Sequence, residues 1–259
     1  MAHDGNFLSG EKNSPWAALK RFTDARIALG RAGAAIPTRE LLAFQLAHAQ
    51  ARDAVHARLD FSQLADEISA LHPAPLILRS EVAERGEYLR RPDLGRRLHE
   101  SSRAALQNAA SVQGCDLAIV IADGLSASAV TANAVSFLRA FLPLAAAQPL
   151  TLAPVCLVGQ GRVAIGDEIG FLLNARAVVV LIGERPGLSS PDSLGAYLTY
   201  DPRPGLTDER RNCISNIRAA GLVPDQAAAK LHYLVTESLR RQISGVDLKD
   251  DMPTPPLLA

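Results

Sequence analysis

The sequence predicts an α/β fold, a mostly parallel sheet with helices on both faces, preceded by a small helical N-terminal region. Three observations predict it. The continuous apolar runs "DLAIVIADG", "LTLAPVCLVG" and "AVVVLIGERPG" read as strands buried on both faces. Helical patterns follow the first two, "SASAVTANAVSFLRAFLPLAA" and "VAIGDEIGFLLNA", which is the alternation of a parallel sheet with crossover helices. Residues 15–74, by contrast, are alanine-rich and amphipathic, with few turn signals.

Taken in order, residues 1–14 are polar and expected to be disordered. Ser14 and Pro15 supply a cap hydroxyl and a first-turn proline. They predict a helix over "WAALKRFTDARIALGRAG", with Trp16, Leu19, Phe22 and Ile27 near one face and Gly30 and Gly33 at its end. Thr38 begins a second helix, "RELLAFQLAHAQARDAVHARL", whose candidate core residues are Leu42, Phe44, Leu46 and Ala49. "FSQLADEISALH" predicts a third, short one. The texture changes at Pro73 and Pro75, and residues 75–244 are assigned to the α/β domain, although the boundary is soft between 75 and 112. There "APLILRSEV" predicts a short strand, and Pro92 is expected to start a helix over about 92–110. The three apolar strands and their helices come next. "GAYLTYDPRPG" predicts a strand and turn, and "PDQAAAKLHYLVTESLRRQIS" a long final helix. Residues 245–259, with three prolines, are expected to form a flexible tail.

Bulk properties narrow the function classes. The 259 residues are 48% hydrophobic, enough for one large core or one core plus a smaller domain. Basic and acidic residues balance at 27 each, so no long-range field recruits nucleic acid or an anionic membrane, and neither partner is expected. Pairs such as Arg96-Arg97, Arg210-Arg211 and Arg240-Arg241 are scattered as solvated helix faces would scatter them. Cys115, Cys156 and Cys213 are odd in number and widely spaced, which predicts neither a disulfide framework nor a zinc knuckle and fits a reduced, cytosolic setting. The N-terminus lacks the basic start and apolar core of a secretory signal. No apolar run reaches the ~18 residues of a membrane span; the longest is broken by Pro143, Gln148, Pro149 and Pro154. His3, His48, His56, His72, His99 and His232 make no H-x-x-x-H or H-E-x-x-H pattern, so no protein-supplied metal site is expected.

In an open parallel sheet, ligands bind beyond the carboxyl ends of the strands. Three glycine-containing loops fall there, "ADGLSAS", "GQGRVAIG" and "GERPGLSSPDS", and together they predict a site. Gly159, Gly161 and Ala164 match G-x-G-x-x-G/A, and Glu184 follows at about the distance of a ribose-binding acid. The same glycines equally describe a tight strand-to-helix turn, and Glu184 equally a loop-ordering partner for Arg185. Asp123 and Ser126 fit nucleophile or base on one reading and turn-ordering on the other; "ADGLS" is not the G-x-S-x-G elbow. Cys213, in the polar segment "ERRNCISNI", is either a small packing residue or a ligand contact. No complete catalytic set emerges, and no catalytic residue is assigned.

The stretches "RPDLGRRL", "VIADGLSA", "GRVAIGDEIG", "IGERPGLSSPDSLGAYLTYDPRPG" and "RNCISNIR" resemble the small (light) subunit of ethanolamine ammonia-lyase, in order from about Trp16 to Ser244. The resemblance implies an adenosylcobalamin-dependent lyase that converts ethanolamine to acetaldehyde and ammonia by radical chemistry. It implies a Rossmann-like light chain that packs cobalamin against a heavy-subunit barrel, and a six-plus-six hetero-oligomer. The heavy subunit would hold the substrate. The resemblance carries cobalamin contacts onto Val163, Glu184 and Cys213. It implies no protein ligand to cobalt, since the cofactor keeps its own benzimidazole. Family members tied to microcompartments often carry a longer N-terminal extension; the short polar segment here predicts a free cytoplasmic enzyme instead.

Two rival readings stay open at this level. One is a self-sufficient α/β enzyme using NAD or a similar dinucleotide at Gly159, Gly161, Ala164 and Glu184. The other is a non-catalytic assembly subunit that keeps the heavy chain soluble.

Overall fold

The computed structural model describes residues 17–109 and 114–252. Its centre is a six-stranded sheet of order β1-β3-β2-β4-β5-β6. The strands are β1 (Leu76–Arg79), β2 (Cys115–Ala122), β3 (Cys156–Gly159), β4 (Ala175–Gly183), β5 (Leu194–Tyr200) and β6 (Arg211–Ile217). The first four are mutually parallel, while β5 and β6 add on antiparallel. The helices are α1 (Thr38–His56), α2 (Phe61–Ser69), α3 (Arg85–Arg90), α4 (Glu100–Ala109), α5 (Ala127–Ala146), α6 (Ile165–Leu172) and α7 (Pro224–Arg241).

The unbroken apolar character of β2 and β4 follows from their position. Leu117, Ile119 and Ile121 of β2, with Ala177, Val179 and Leu181 of β4, join a core shared with α5 and α7. Their alternates Ala118, Val120 and Ala122, with Val178, Val180 and Ile182, join a second core beneath α6. Both pleat faces are therefore buried, and each fully buried Leu, Ile or Val contributes about 1.5–3 kcal/mol. Helix α5 starts where Ser126 accepts a hydrogen bond from the Ala129 N–H at 3.1 Å. It is the one helix among the described residues long and apolar enough to cross a membrane. Its apolar composition is accounted for by Val130, Phe137, Leu138 and Phe141, which are buried against the sheet. Helix α7 starts at Pro224 and packs beside α5 on the same face.

The structure corrects several sequence expectations. Within the first expected helix only a 3-10 segment, Ala17–Phe22, forms, with Leu19 and Phe22 exposed and Ile27 half-buried; Trp16 lies outside the described residues. Helix α1 has the expected start, but Leu42, Phe44 and Leu46 are exposed and Ala49 is half-buried; its buried residues are Ala47 and Ala54. Amphipathic spacing identifies the apolar stripe and not what covers it. The expected helix over 92–110 is divided into a 3-10 turn, Leu94–Arg96, and α4. The cause is packing: a Cβ on Gly95 would lie 2.8 Å from Arg162 Cγ and 3.1 Å from the Gln160 carbonyl, so the backbone there runs tight against the β3–α6 turn. The strand expected over "LTLAPVCLVG" is reduced to Cys156–Gly159, with Leu152 making an isolated bridge to Leu117. The polar segment around Cys213 is strand β6. Residues 245–259 were expected to be loose, yet Gly245–Asp247 forms a 3-10 turn and Leu248 is buried in the α5/α7 core. The 1–14 segment lies outside the described residues.

Candidate functional site

Strands β2, β3 and β4 end on one edge of the sheet. From β2 the chain reaches its neighbour β3 through α5 on one face, then returns past β2 to β4 through α6 on the other. The strand order reverses at β2, which is the switch point where open α/β sheets bind ligands. A cavity of about 470 Å³ sits there, lined by Leu125, Arg162, Val163, Glu184 and Arg185 from the three loops, Tyr88 from α3 and Tyr197 from β5. All three loops singled out from sequence therefore meet.

The glycine turn between β3 and α6 is occupied from inside. Asp123, buried at the end of β2, accepts the Gly161 N–H at 3.2 Å. Its carboxylate also takes the N–H groups of Gln160 and Gly124. A phosphate at this turn would compete with that carboxylate for the Gln160 and Gly161 N–H groups, so the turn already carries its own anion. Gly161 is required for another reason: a Cβ would lie 3.0 Å from Ala122 Cβ. Burial pushes the Asp123 carboxyl up to about 6, against the pull of Arg85 and the three N–H groups. The dinucleotide reading of Gly159, Gly161 and Ala164 loses its footing here, and the tight-turn reading stands. Ser126 caps α5 and donates to the Pro191 carbonyl at 2.7 Å. Both Asp123 and Ser126 thus order turns.

Arg85 ties this turn to the N-terminal region. It donates to the carbonyls of Val55 (2.7 Å) and Gly124 (2.8 Å) and lies 3.8 Å from the Asp123 carboxylate. The Tyr88 ring is sandwiched between the guanidinium groups of Arg85, 4.6 Å from its centroid, and Arg162, at 4.0 Å. The Tyr88 hydroxyl donates to the Gly161 carbonyl at 3.1 Å, and burial raises its pKa. One wall of the cavity is therefore rigidly supported.

Glu184 and Val163 both line the cavity. The Glu184 carboxylate accepts the Ser193 hydroxyl at 2.5 Å and the Asn216 N–H at 3.2 Å, so its ordering partners are these and not Arg185. Cys213 is not on the lining itself. It sits on β6 opposite Tyr197 of β5, and the two side chains are hydrogen-bonded. Desolvation raises the Cys213 pKa and outweighs that hydrogen bond, so the thiol is protonated at neutral pH and is a poor nucleophile. Sequence reasoning missed Tyr88, Leu125, Arg162, Arg185 and Tyr197. Four of these lie in stretches already singled out, but Tyr88 reaches the site from 74 residues before Arg162, and only the fold brings them together. Among the described residues no group of His, Cys, Asp and Glu is arranged to hold a metal ion.

Comparison with known proteins gives a consistent result. Residues 13–249 match the family described as "Ethanolamine ammonia-lyase light chain (EutC)". The "Ethanolamine ammonia-lyase small subunit" of Pseudomonas putida (strain W619) is 56% identical over 240 residues, covering 92% of this chain and 88% of that protein. The protein of the same description from Pseudomonas fluorescens (strain SBW25) is 55% identical over 241 residues, 92% of this chain and 87% of its own length. That from Xanthomonas campestris pv. campestris is 56% identical over 242 residues, 93% and 89%.

Proposed function

The chain belongs to the ethanolamine ammonia-lyase light-chain family, and from that premise we propose that it is the small subunit of a two-subunit carbon–nitrogen lyase that releases ammonia from ethanolamine. The large subunit holds the substrate, and this chain closes a shared cofactor site. The cofactor is adenosylcobalamin, the assembly is six plus six, and the enzyme works in the cytoplasm. The α/β domain, residues 75–244, carries the cofactor contacts, and the helical region, residues 15–74, precedes it.

One observation carries the reading. Val163 and Glu184 lie on one cavity at the sheet's switch point, and Cys213 is bonded to Tyr197 of the same lining. The lining suits a corrinoid, whose ring faces are apolar and whose rim carries amides: Leu125, Val163 and Ile182 are apolar, and a carboxylate and a phenol stand beside them. A cavity of about 470 Å³ encloses a drug-sized ligand. A corrinoid with its nucleotide loop is larger, so most of it must lie against another surface, as a subunit-shared site requires.

Adenosylcobalamin supplies homolytic cobalt–carbon chemistry when bound. This chain's share is positional. Val163 presents an apolar contact to a ring face. Glu184, already held by Ser193 and Asn216, accepts rim amide N–H groups without having to be ordered on binding. Cys213, as a neutral thiol, adds a soft contact and keeps water from the rim.

Reconstitution tests the proposal. Ammonia release from ethanolamine with adenosylcobalamin is expected only when this chain and the large subunit are combined. Turnover by the large subunit alone at the same rate would leave only the assembly role, and turnover by this chain with NAD would favour the dinucleotide enzyme. Glu184→Gln is expected to weaken cobalamin binding to the complex about tenfold; unchanged affinity and activity would remove Glu184 from the site.

A further inference from the structure

The cavity presents more positive charge than its neighbours use. Arg185 lies on the lining beside Glu184, is exposed, and makes no hydrogen bond or ion pair among the described residues. Arg162, on the opposite loop, has no carboxylate within 4 Å. One of its Nη atoms donates to the Tyr88 carbonyl at 3.0 Å and its plane stacks on the Tyr88 ring, but its Nε is buried without a partner. The carboxylate on the lining forms no ion pair with either cation: the Oε2 of Glu184 accepts from Ser193 and Asn216. Of the backbone donors in the β3–α6 turn, those of Gln160 and Gly161 go to Asp123 and that of Arg162 goes to the Gly95 carbonyl. What the cavity offers an incoming anion is two guanidinium groups, one exposed at the rim and one pre-set by stacking.

A neutral amide rim has no need of two unpaired guanidiniums. A guanidinium's forked N–H donors fit phosphate oxygens, and the charge-assisted bond is the strong kind. Building on the cofactor reading above, we propose that Arg162 and Arg185 recognise the phosphodiester of the corrinoid's nucleotide loop, so that this subunit selects complete corrinoids over those lacking the loop. The Tyr88 carbonyl and ring orient the Arg162 guanidinium, and Arg185 folds in from the rim to complete the pair. The sequence's dinucleotide-like turn thus sits beside a phosphate site without forming it: the side chain at Arg162, and not the glycine backbone, supplies the donors.

The test is a cycle of residue against ligand group, measured by binding and not by turnover. The complex of this chain with the large subunit is titrated with cyanocobalamin and with dicyanocobinamide, which lacks the nucleotide loop and its phosphodiester. Arg185→Gln and Arg162→Gln are each expected to lower cyanocobalamin affinity about tenfold while leaving cobinamide affinity within about twofold. Cyanocobalamin binding is also expected to lose part of its salt dependence in the variants. Arg185 has no partner among the described residues, so its variant retains the fold even if Arg162→Gln, which removes a stacking contact, does not. Equal weakening of both probes by Arg185→Gln, or no weakening of either, overturns the phosphodiester assignment while leaving the cofactor reading in place. Failure of the unaltered complex to bind either probe overturns both.

Discussion

The β3–α6 turn and the β4–β5 loop line the same cavity, and both carry glycine next to charge, yet they are finished differently. At the first, the backbone is held from within: Asp123 takes the N–H groups of Gln160, Gly161 and Gly124, and Tyr88 bonds the Gly161 carbonyl. At the second, Glu184 is held in place by Ser193 and Asn216, but Arg185 has no partner among the described residues. A glycine-rich strand end is therefore structural or ligand-facing according to which group supplies the counter-charge. A carboxylate aimed at the local donors closes the turn, and a cation left without one leaves the loop open to a ligand.

The largest effect should come from opening the closed turn. Asp123→Ala removes the acceptor for three backbone N–H groups and leaves Arg85 buried with a diminished set of partners. Removing one member of a buried charged pair costs about 3–5 kcal/mol, and urea unfolding of the chain should register a loss of that size. A loss below about 1 kcal/mol would mean that the turn does not depend on Asp123 and that the two loops are not different in kind.

A subtler effect concerns pH. The Asp123 carboxyl is pushed up to about 6 from a usual value of 3.8, chiefly by burial. The folded state then binds a proton that the unfolded chain has already released between those values. Its contribution to stability is accordingly greatest below about pH 4 and is lost as pH rises through 6. Asp167, also pushed up to about 6 by burial against the opposing pull of Arg211, acts in the same direction. Asp123→Asn keeps an acceptor and a neutral form at every pH. The stability difference between the unaltered chain and Asp123→Asn should therefore shift in favour of the unaltered chain as pH falls from 7 to 5. A difference that is flat over this range would show that Asp123 titrates as an ordinary carboxylate.

These contrasts also explain what could be read in advance. Strands β2 and β4 were legible because both pleat faces are buried, so Leu117 through Ile121 and Ala177 through Ile182 are uniformly apolar. The meeting of three loops was legible because a parallel sheet puts strand ends on one edge. Strand β6 was not, since its Asn212, Cys213, Ser215 and Asn216 are half-buried or exposed at a sheet edge and carry no apolar run. Leu42, Phe44 and Leu46 were misplaced because a stripe at helical spacing says nothing about its cover. The individual contacts Val163, Glu184 and Cys213 came from resemblance and not from spacing. Asp123, the turn's own anion, lies 38 positions from Gly161, and a motif confined to G-x-G-x-x-A contains no term for it.

The smallest stability effect belongs to the open loop. Arg185→Gln removes a guanidinium that is exposed and has no partner among the described residues, so unfolding free energy should change by no more than about 0.5 kcal/mol. Stability and binding are then separable at this residue: the substitution is silent in urea unfolding of the chain and visible only when a ligand is titrated. At Asp123 the order reverses, because the side chain's interactions are made within the fold before any ligand arrives. If Arg185→Gln instead destabilised the chain by more than about 1 kcal/mol, Arg185 would be a structural residue in solution. The Arg185 charge at the cavity mouth would then no longer be available to select an anion.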